Sequence, residues 1–255
     1  MNKIIKIIFL DILKSKIIIA YTIMLAILSW SSFVLEDNSS KGLLTALNVI
    51  LFTVPLVSIL FSTIYVYNSS EFIEMLLSQP VKRKKIWIGL FSGLSLSLIL
   101  AFLIGSGIPL LIYSPDKVGI MMIVMGSLIS VVFTSLACLS SILTRDKAKG
   151  IGIAIMLWLY FALLFDGIVL FLLFQLSEYP IENAMVAVTT LNPIDLARIQ
   201  ILLQLDVSAM MGYSGAVFKK VLGTSTGLII SFVLLCLWFI VPFWISLKKF
   251  IKRDL

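Results

Sequence analysis

No histidine occurs anywhere in the 255 residues. That removes the usual protein ligand for transition metals, the usual general base near neutral pH, and the Ser-His and Cys-His nucleophile pairs. Cysteine is nearly as scarce: Cys138 and Cys236 both lie inside apolar runs and belong to no C-x-x-C spacing, so they read as small buried hydrophobes. Charged residues make up only 13% of the chain, about half of what a water-soluble domain carries. No G-x-x-x-x-G-K-[ST], metalloprotease or nucleophile-elbow motif is present, so nothing here cradles ATP phosphates and any energy source is a partner or an ion gradient. The expectation is a non-catalytic chain that binds no cofactor of its own.

What the chain does have is apolar length. Sixty per cent of residues are hydrophobic and the mean hydropathy is +1.13, which describes an integral membrane protein. A bilayer crossing takes about 20 apolar residues, and runs of that order occur at residues 17–34, 43–66, 86–112, 119–143, 151–176 and 224–247. The expected fold is all-α: six transmembrane helices forming one domain over residues 1–255, with no sizeable soluble part.

The net charge of +7 is not a nucleic-acid footprint, because the basic residues are dealt out between apolar segments instead of gathered on one face. They report topology. Fifteen of the 20 Lys and Arg fall on one set of alternate connections, and the positive-inside rule then puts both termini in the cytoplasm. Residues 1–16 are not a signal peptide, since Asp11, Lys14 and Lys16 interrupt the apolar run and no small-residue cleavage site follows. With Lys3, Lys6, Asp11 and Lys14 on one arc and Ile4, Ile5, Ile8, Phe9 and Ile12 on the other, they form an amphipathic helix at the inner surface of the bilayer.

Outer connections at 36–41 and 113–117 are tight, which makes spans 1 and 2, and spans 3 and 4, antiparallel neighbours. Two connections are longer. The inner one, residues 68–85, reads NSSEFIEMLLSQPVKRKK. Asn68 followed by Glu71 resembles a helix start, Phe72, Ile73, Met75, Leu76 and Leu77 supply an apolar surface, and Pro80 ends the helix. The basic run Lys82, Arg83, Lys84 and Lys85 is explained as an anchor in an anionic leaflet. The outer one, residues 177–223, contains Asn192-Pro193, a cap followed by proline at the first helical position. A helix follows to about Leu205, expected to pack on the outer mouth of the bundle and to touch whatever lies outside.

Asp166 is the unexpected residue, embedded in LWLYFALLFDGIVLFLLF. A carboxylate within the bilayer costs about 2.5–3.5 kcal/mol even on insertion scales unless it is answered by a partner or by water. It is either a contact to a neighbouring helix or part of a cavity wall. Thioethers suit Cu(I), which makes Met121, Met122, Met125, Met210 and Met211 weak metal candidates beside their ordinary role as fillers. Close helix contacts are expected at the G-x-x-x-G pairs Gly89 with Gly93 and Gly223 with Gly227, and at Gly105 and Gly107 ahead of Pro109.

The organisation as a whole resembles the type-2 ABC permease family. In that family the inner loop reads like G-T-L-E-x-L-L-x-x-P-v-x-R, and EFIEMLLSQPVKR is similar at Glu74, Leu76, Leu77, Pro80, Val81 and Arg83. It departs at Glu71, where glycine is usual, and at Leu90, where lysine is common. Within the family, LLFDG and LNPIDLAR look like the permeases of the machinery that matures the copper sites of nitrous-oxide reductase. The resemblance implies a homodimer in the bacterial inner membrane, two copies of a cytoplasmic ATPase that holds the ATP, and a periplasmic copper-handling protein. Copper would then be handled by the complex. It implies that Glu71, Phe72, Glu74, Met75, Leu76, Leu77, Pro80 and Arg83 meet the ATPase, and that Asn192, Pro193, Asp195 and Arg198 meet the periplasmic partner. Two other functions stay open at this stage: an exporter of a lipid, peptide or drug, and a gradient-driven or catalytic membrane protein that uses Asp166.

Overall fold

A computed structural model describes residues 2–36, 39–175, 187–205 and 225–252. Every regular element among them is helical. Helix α1 (Asn2–Leu13) leads into α2 (Lys16–Val34), α3 (Ser39–Asn68), α4 (Ser70–Leu77), α5 (Arg83–Phe102), α6 (Ile108–Tyr113), α7 (Lys117–Leu143), α8 (Lys147–Leu159), α9 (Phe165–Gln175), α10 (Pro193–Gln204) and α11 (Ser225–Lys252). Six of these stretches are long and apolar enough to cross a bilayer: α2, α3, α5 with α6, α7, α8 with α9, and α11. Met210, Met211 and Gly223 lie outside the described residues, as do 177–186 and 206–223 of the long outer connection.

The helices overrun the apolar runs at their basic ends. Hydropathy measures the width of the hydrocarbon, whereas Lys and Arg are good helix formers whose stems reach back to the interface. Thus α8 starts at Lys147, four residues earlier than expected. Asp146 caps it, its carboxylate accepting from the amides of Ala148 at 2.8 Å and Lys149 at 3.4 Å. Asn68 ends α3 instead of starting the next helix. Its side-chain oxygen accepts from Lys147 Nζ at 2.7 Å, and Ser69 separates α3 from α4.

Helix α7 is the axis of the bundle. It packs on α3, α5, α8, α10 and α11, and its small and hydroxylated residues allow close approach. Hydroxyl groups answer one another across these contacts: Ser62 bonds Thr134 at 3.5 Å, Ser135 donates to the Phe239 carbonyl at 2.7 Å, and Ser246 to the Cys138 carbonyl at 3.2 Å. Cys138 is buried and unbridged, and Cys236, also unbridged, is half-buried. Met122 and Met125 are buried in this core and Met121 half-buried, so these thioethers pack against hydrocarbon.

Two spans contain a single widened turn. Residues Leu103–Gly107 join α5 to α6 and Tyr160–Leu164 join α8 to α9, each as π-helix. The first precedes Pro109, which has no N–H for the turn before it, and a widened turn absorbs the missing bond. Its Gly105 admits α2: a Cβ there would lie 2.8 Å from Leu25 Cβ and 2.9 Å from the Thr22 carbonyl oxygen. Ser29 donates to Ser106 at 2.8 Å across the same contact.

The amphipathic α1 is docked on α5, with Ile8 and Ile12 buried and Lys6, Ile7, Leu10 and Asp11 outward. Gly93 is the contact point, since a Cβ there would come within 2.6 Å of the Ile8 γ-methyl. Tyr65 of α3 donates to Asp11 at 3.0 Å and ties the helix down from the other side.

Glycine at 126 faces the ring of buried Phe102, and any side chain there overlaps it, whereas a Cβ at Gly152 meets nothing within 4 Å. Gly126→Val is therefore expected to destabilise the bundle by about 1–3 kcal/mol through overpacking. Gly152→Ala is expected to be neutral or slightly stabilising. Denaturant unfolding of the detergent-solubilised variants measures both.

Candidate functional site

The first candidate region is α10, in the connection between spans 5 and 6. Asn192 forms its cap, with Oδ1 accepting from the Ile194 amide at 3.0 Å. The cap does more than start the helix. Its Nδ2 donates to the Phe161 carbonyl at 2.9 Å and to Asp195 at 3.0 Å. Phe161 belongs to the widened turn of span 5, so that turn presents a carbonyl which the Asn192 amide takes up.

One helical turn further on, Arg198 Nη1 lies 2.8 Å from Asp166 Oδ2 and 3.1 Å from Asp195 Oδ1. The Asp166 anticipated within span 5 is thus held by an arginine 32 residues away in the chain. The pair is about a third exposed, Arg198 at 30% and Asp166 at 36%, while Asp195 is only 10% exposed. Asp166 is accordingly not alone, and a second carboxylate stands beside it. Burial, together with the neighbouring Asp166 charge, pushes the Asp195 carboxyl well above the usual carboxylate range, with the Arg198 guanidinium opposing. One cation between two carboxylates leaves a net charge of −1 when both are ionised, so the Asp195 shift relieves the excess.

Two more bonds fix α10 to span 6. Gln200 Nε2 donates to Ser231 at 2.6 Å, and Trp238 Nε1 donates to the Thr190 carbonyl at 3.0 Å. Trp238 also meets the Phe161 ring edge-on, centroids 5.4 Å apart. Helix α10 therefore clamps spans 5 and 6 onto α7. The residues expected to meet a periplasmic partner are turned inward: Asn192, Pro193 and Asp195 are buried within the chain and Arg198 is half-buried. The Asn192 amide, the two carboxylates and Arg198 Nη1 are spent on the clamp, while Leu191 points outward at 59% exposure. The inward-facing Gln200 was not anticipated. Its spacing of eight from Asn192 is two helical turns, which sequence alone offers no reason to prefer.

The second region is α4. An eight-residue helix with five apolar positions has more apolar surface than one contact uses, and the bundle takes its share. Ile73 and Leu76 are buried, and Phe72 and Leu77 are half-buried against the core. The expected apolar face is therefore turned inward, and what faces out is Glu71, Glu74 and Met75, with Pro80 exposed beyond the helix end. Beneath α4 is a cavity of about 370 Å³ lined by Tyr67, Ile73, Glu74, Trp87, Arg145 and Phe250, among others. The surrounding helix ends are pinned. Trp87 donates to Ser246 at 2.9 Å and stacks on Phe250 at 4.4 Å, and Arg83 donates to the Ile251 carbonyl at 3.3 Å.

Among the described residues no group of three or more His, Cys, Asp or Glu is placed to hold a metal ion. An exposed acidic helix edge at one end and a clamped helix at the other are carried on shared spans.

Comparison with known proteins identifies the relatives. The profile described as "ABC-2 family transporter protein" matches residues 44–255, which includes α4, Asp166 and α10. "Probable ABC transporter permease protein NosY" of Pseudomonas aeruginosa is 31% identical over 173 residues, 63% of each chain. The protein of the same name from Stutzerimonas stutzeri is 27% identical over 217 residues, 79% of this chain and 76% of its own length. The match thus spans a little under two thirds of the first relative.

Removing the cation from the clamp leaves two carboxylates facing each other. Arg198→Gln is expected to destabilise the protein by about 1–3 kcal/mol, and by at least about 0.5 kcal/mol less when Asp166 is already Asn. Unfolding of the two single variants and the double variant measures this coupling. Equal losses in both backgrounds would show that the two side chains act independently.

Proposed function

The chain belongs to the ABC-2 transporter family, and on that premise we propose that it couples a separate cytoplasmic ATPase to a protein outside the membrane. In this reading it is the multi-pass permease subunit of a nitrous-oxide reductase maturation system, as its likeness to the two NosY permeases supports. It works as a homodimer in the bacterial inner membrane, with both termini cytoplasmic and two ATPase copies holding the ATP. This chain binds no cofactor, and copper is carried by the periplasmic partner.

One observation carries the reading: the two candidate regions hang on the same pair of helices. Helix α4 follows α3 directly and α10 packs on α7, while α3 and α7 pack along each other. A push on α4 is thereby delivered to rigid spans that bear the outer clamp. Glu71, Glu74 and Met75 are the side chains free to enter an ATPase groove, with Phe72 and Leu77 at the edge of the contact. Pro80 ends the coupling segment, and Arg83 anchors it to α11 through Ile251. The cavity beneath the helix gives it room to move. Asp166 is bonded to Arg198, an arrangement suited to holding helices together and of no evident use to a conducted ion.

The chain, purified with its ATPase, is expected to stimulate ATP hydrolysis, and Glu74→Arg is expected to return hydrolysis to the rate of the isolated ATPase while leaving the melting temperature unchanged. Stimulation by the variant equal to wild type would overturn the coupling role of α4. Copurification from native membranes adds the outer half of the test. A periplasmic copper-handling protein should accompany the ATPase, whereas an ATPase alone, with nitrous-oxide reduction intact in a deletion strain, would select an exporter instead.

A further inference from the structure

A second cleft, of about 560 Å³, opens between the inner ends of α7 and α11, and the coupling reading leaves it unused. Leu143 and Ile245 give it an apolar wall, and Arg145, Lys248, Lys249 and Lys252 surround its mouth. No carboxylate is among the described residues that line it. The nearest in sequence, Asp146, is committed to the amides that start α8.

Trp244 lies beside the cleft, next to Ile245 in sequence and in contact with Lys248. The residue is 54% exposed, with Lys248 Nζ 3.4 Å from the ring centroid. An exposed tryptophan paired with a snorkelling lysine is the side-chain chemistry of the lipid headgroup belt. Leu143 and Ile245 are themselves exposed, so the apolar wall continues the lipid-facing surface of both spans. Four cations therefore converge where acyl chains end and headgroups begin.

We propose that this cleft binds one anionic phospholipid, its phosphate among Arg145, Lys249 and Lys252 and an acyl chain against Leu143 and Ile245. Charge complementarity selects the headgroup and the apolar wall selects a lipid over a soluble anion. Arg145 and Ile142 also line the cavity beneath α4, so an occupied cleft fixes one wall of the space into which that helix can move.

The test uses the full chain in a zwitterionic detergent, titrated with phosphatidylglycerol or phosphatidylcholine and read by native mass spectrometry. Each cation near an anionic headgroup contributes roughly fivefold in affinity, so wild type should prefer phosphatidylglycerol by at least about tenfold. Arg145→Gln with Lys249→Gln and Lys252→Gln should abolish the preference. Arg145→Lys with Lys249→Arg and Lys252→Arg should retain it, which separates charge from folding. Lys16→Gln with Lys84→Gln and Lys85→Gln removes equal charge from other inner helix ends and should also retain it. Four results would overturn the proposal: no preference in wild type, a preference surviving in the triple glutamine variant, equal loss in the Lys16 control, or displacement of the lipid by equimolar inorganic phosphate or a polyglutamate peptide.

Discussion

A bilayer offers no hydrogen-bond partners, so each polar side chain that a spanning bundle takes inside must be answered by the protein itself. Much of this architecture follows from how that demand is met. Many serine and threonine hydroxyls turn back to carbonyls one turn earlier or reach across to a neighbour, as Ser135 does to Phe239, whereas Ser58, Thr63 and Ser95 are buried without a partner among the described residues. Asp166 is the extreme case. Its charge is tolerable in span 5 because Arg198 reaches it, and Arg198 reaches it because Asn192 and Gln200 have already fixed α10 against spans 5 and 6.

The same demand explains why the outer helix is a rigid part of the bundle. A helix presenting Asn192, Asp195 and Gln200 to water would gain little by docking, but here those groups are matched to a carbonyl, a guanidinium and a hydroxyl. The first and last of these bonds tie α10 to spans 5 and 6, and the guanidinium adds a third tie through Asp166. Helix α10 is thereby joined to α7 and to spans 5 and 6 by side chains as well as by the backbone.

The six spans and the start of α10 were legible in the sequence because they depend on local quantities: apolar length for the spans, and the Asn192-Pro193 cap for the helix. The partner of Asp166 was not, because no periodicity links residues 32 apart in the chain. The widened turn at Tyr160–Leu164 was equally hidden, since it is a register slip in the backbone and no residue type demands it there. The orientation of α4 was read the other way round. Its apolar residues are too many for one face, and sequence cannot say whether the bundle or a partner takes Ile73 and Leu76. For α1, Ile8 and Ile12 fall inward and Lys6, Asp11 and Lys14 outward as the arcs predict, but the part played by Gly93 in docking it on α5 is a property of two helices together.

The clamp also imposes an order of events on synthesis. A chain made from its N-terminus produces α8 and α9 before any of the residues that hold them from outside. The inner half of that span can dock at once, because α8 packs on α3 and Trp158 donates to the Phe52 carbonyl at 3.3 Å. The outer half, carrying Asp166, has to wait in lipid until Asn192 and Arg198 have been translated and brought back to it. Biogenesis thus contains an interval in which one carboxyl group waits without its cation near the end of a finished span, a cost that ends only when Arg198 arrives.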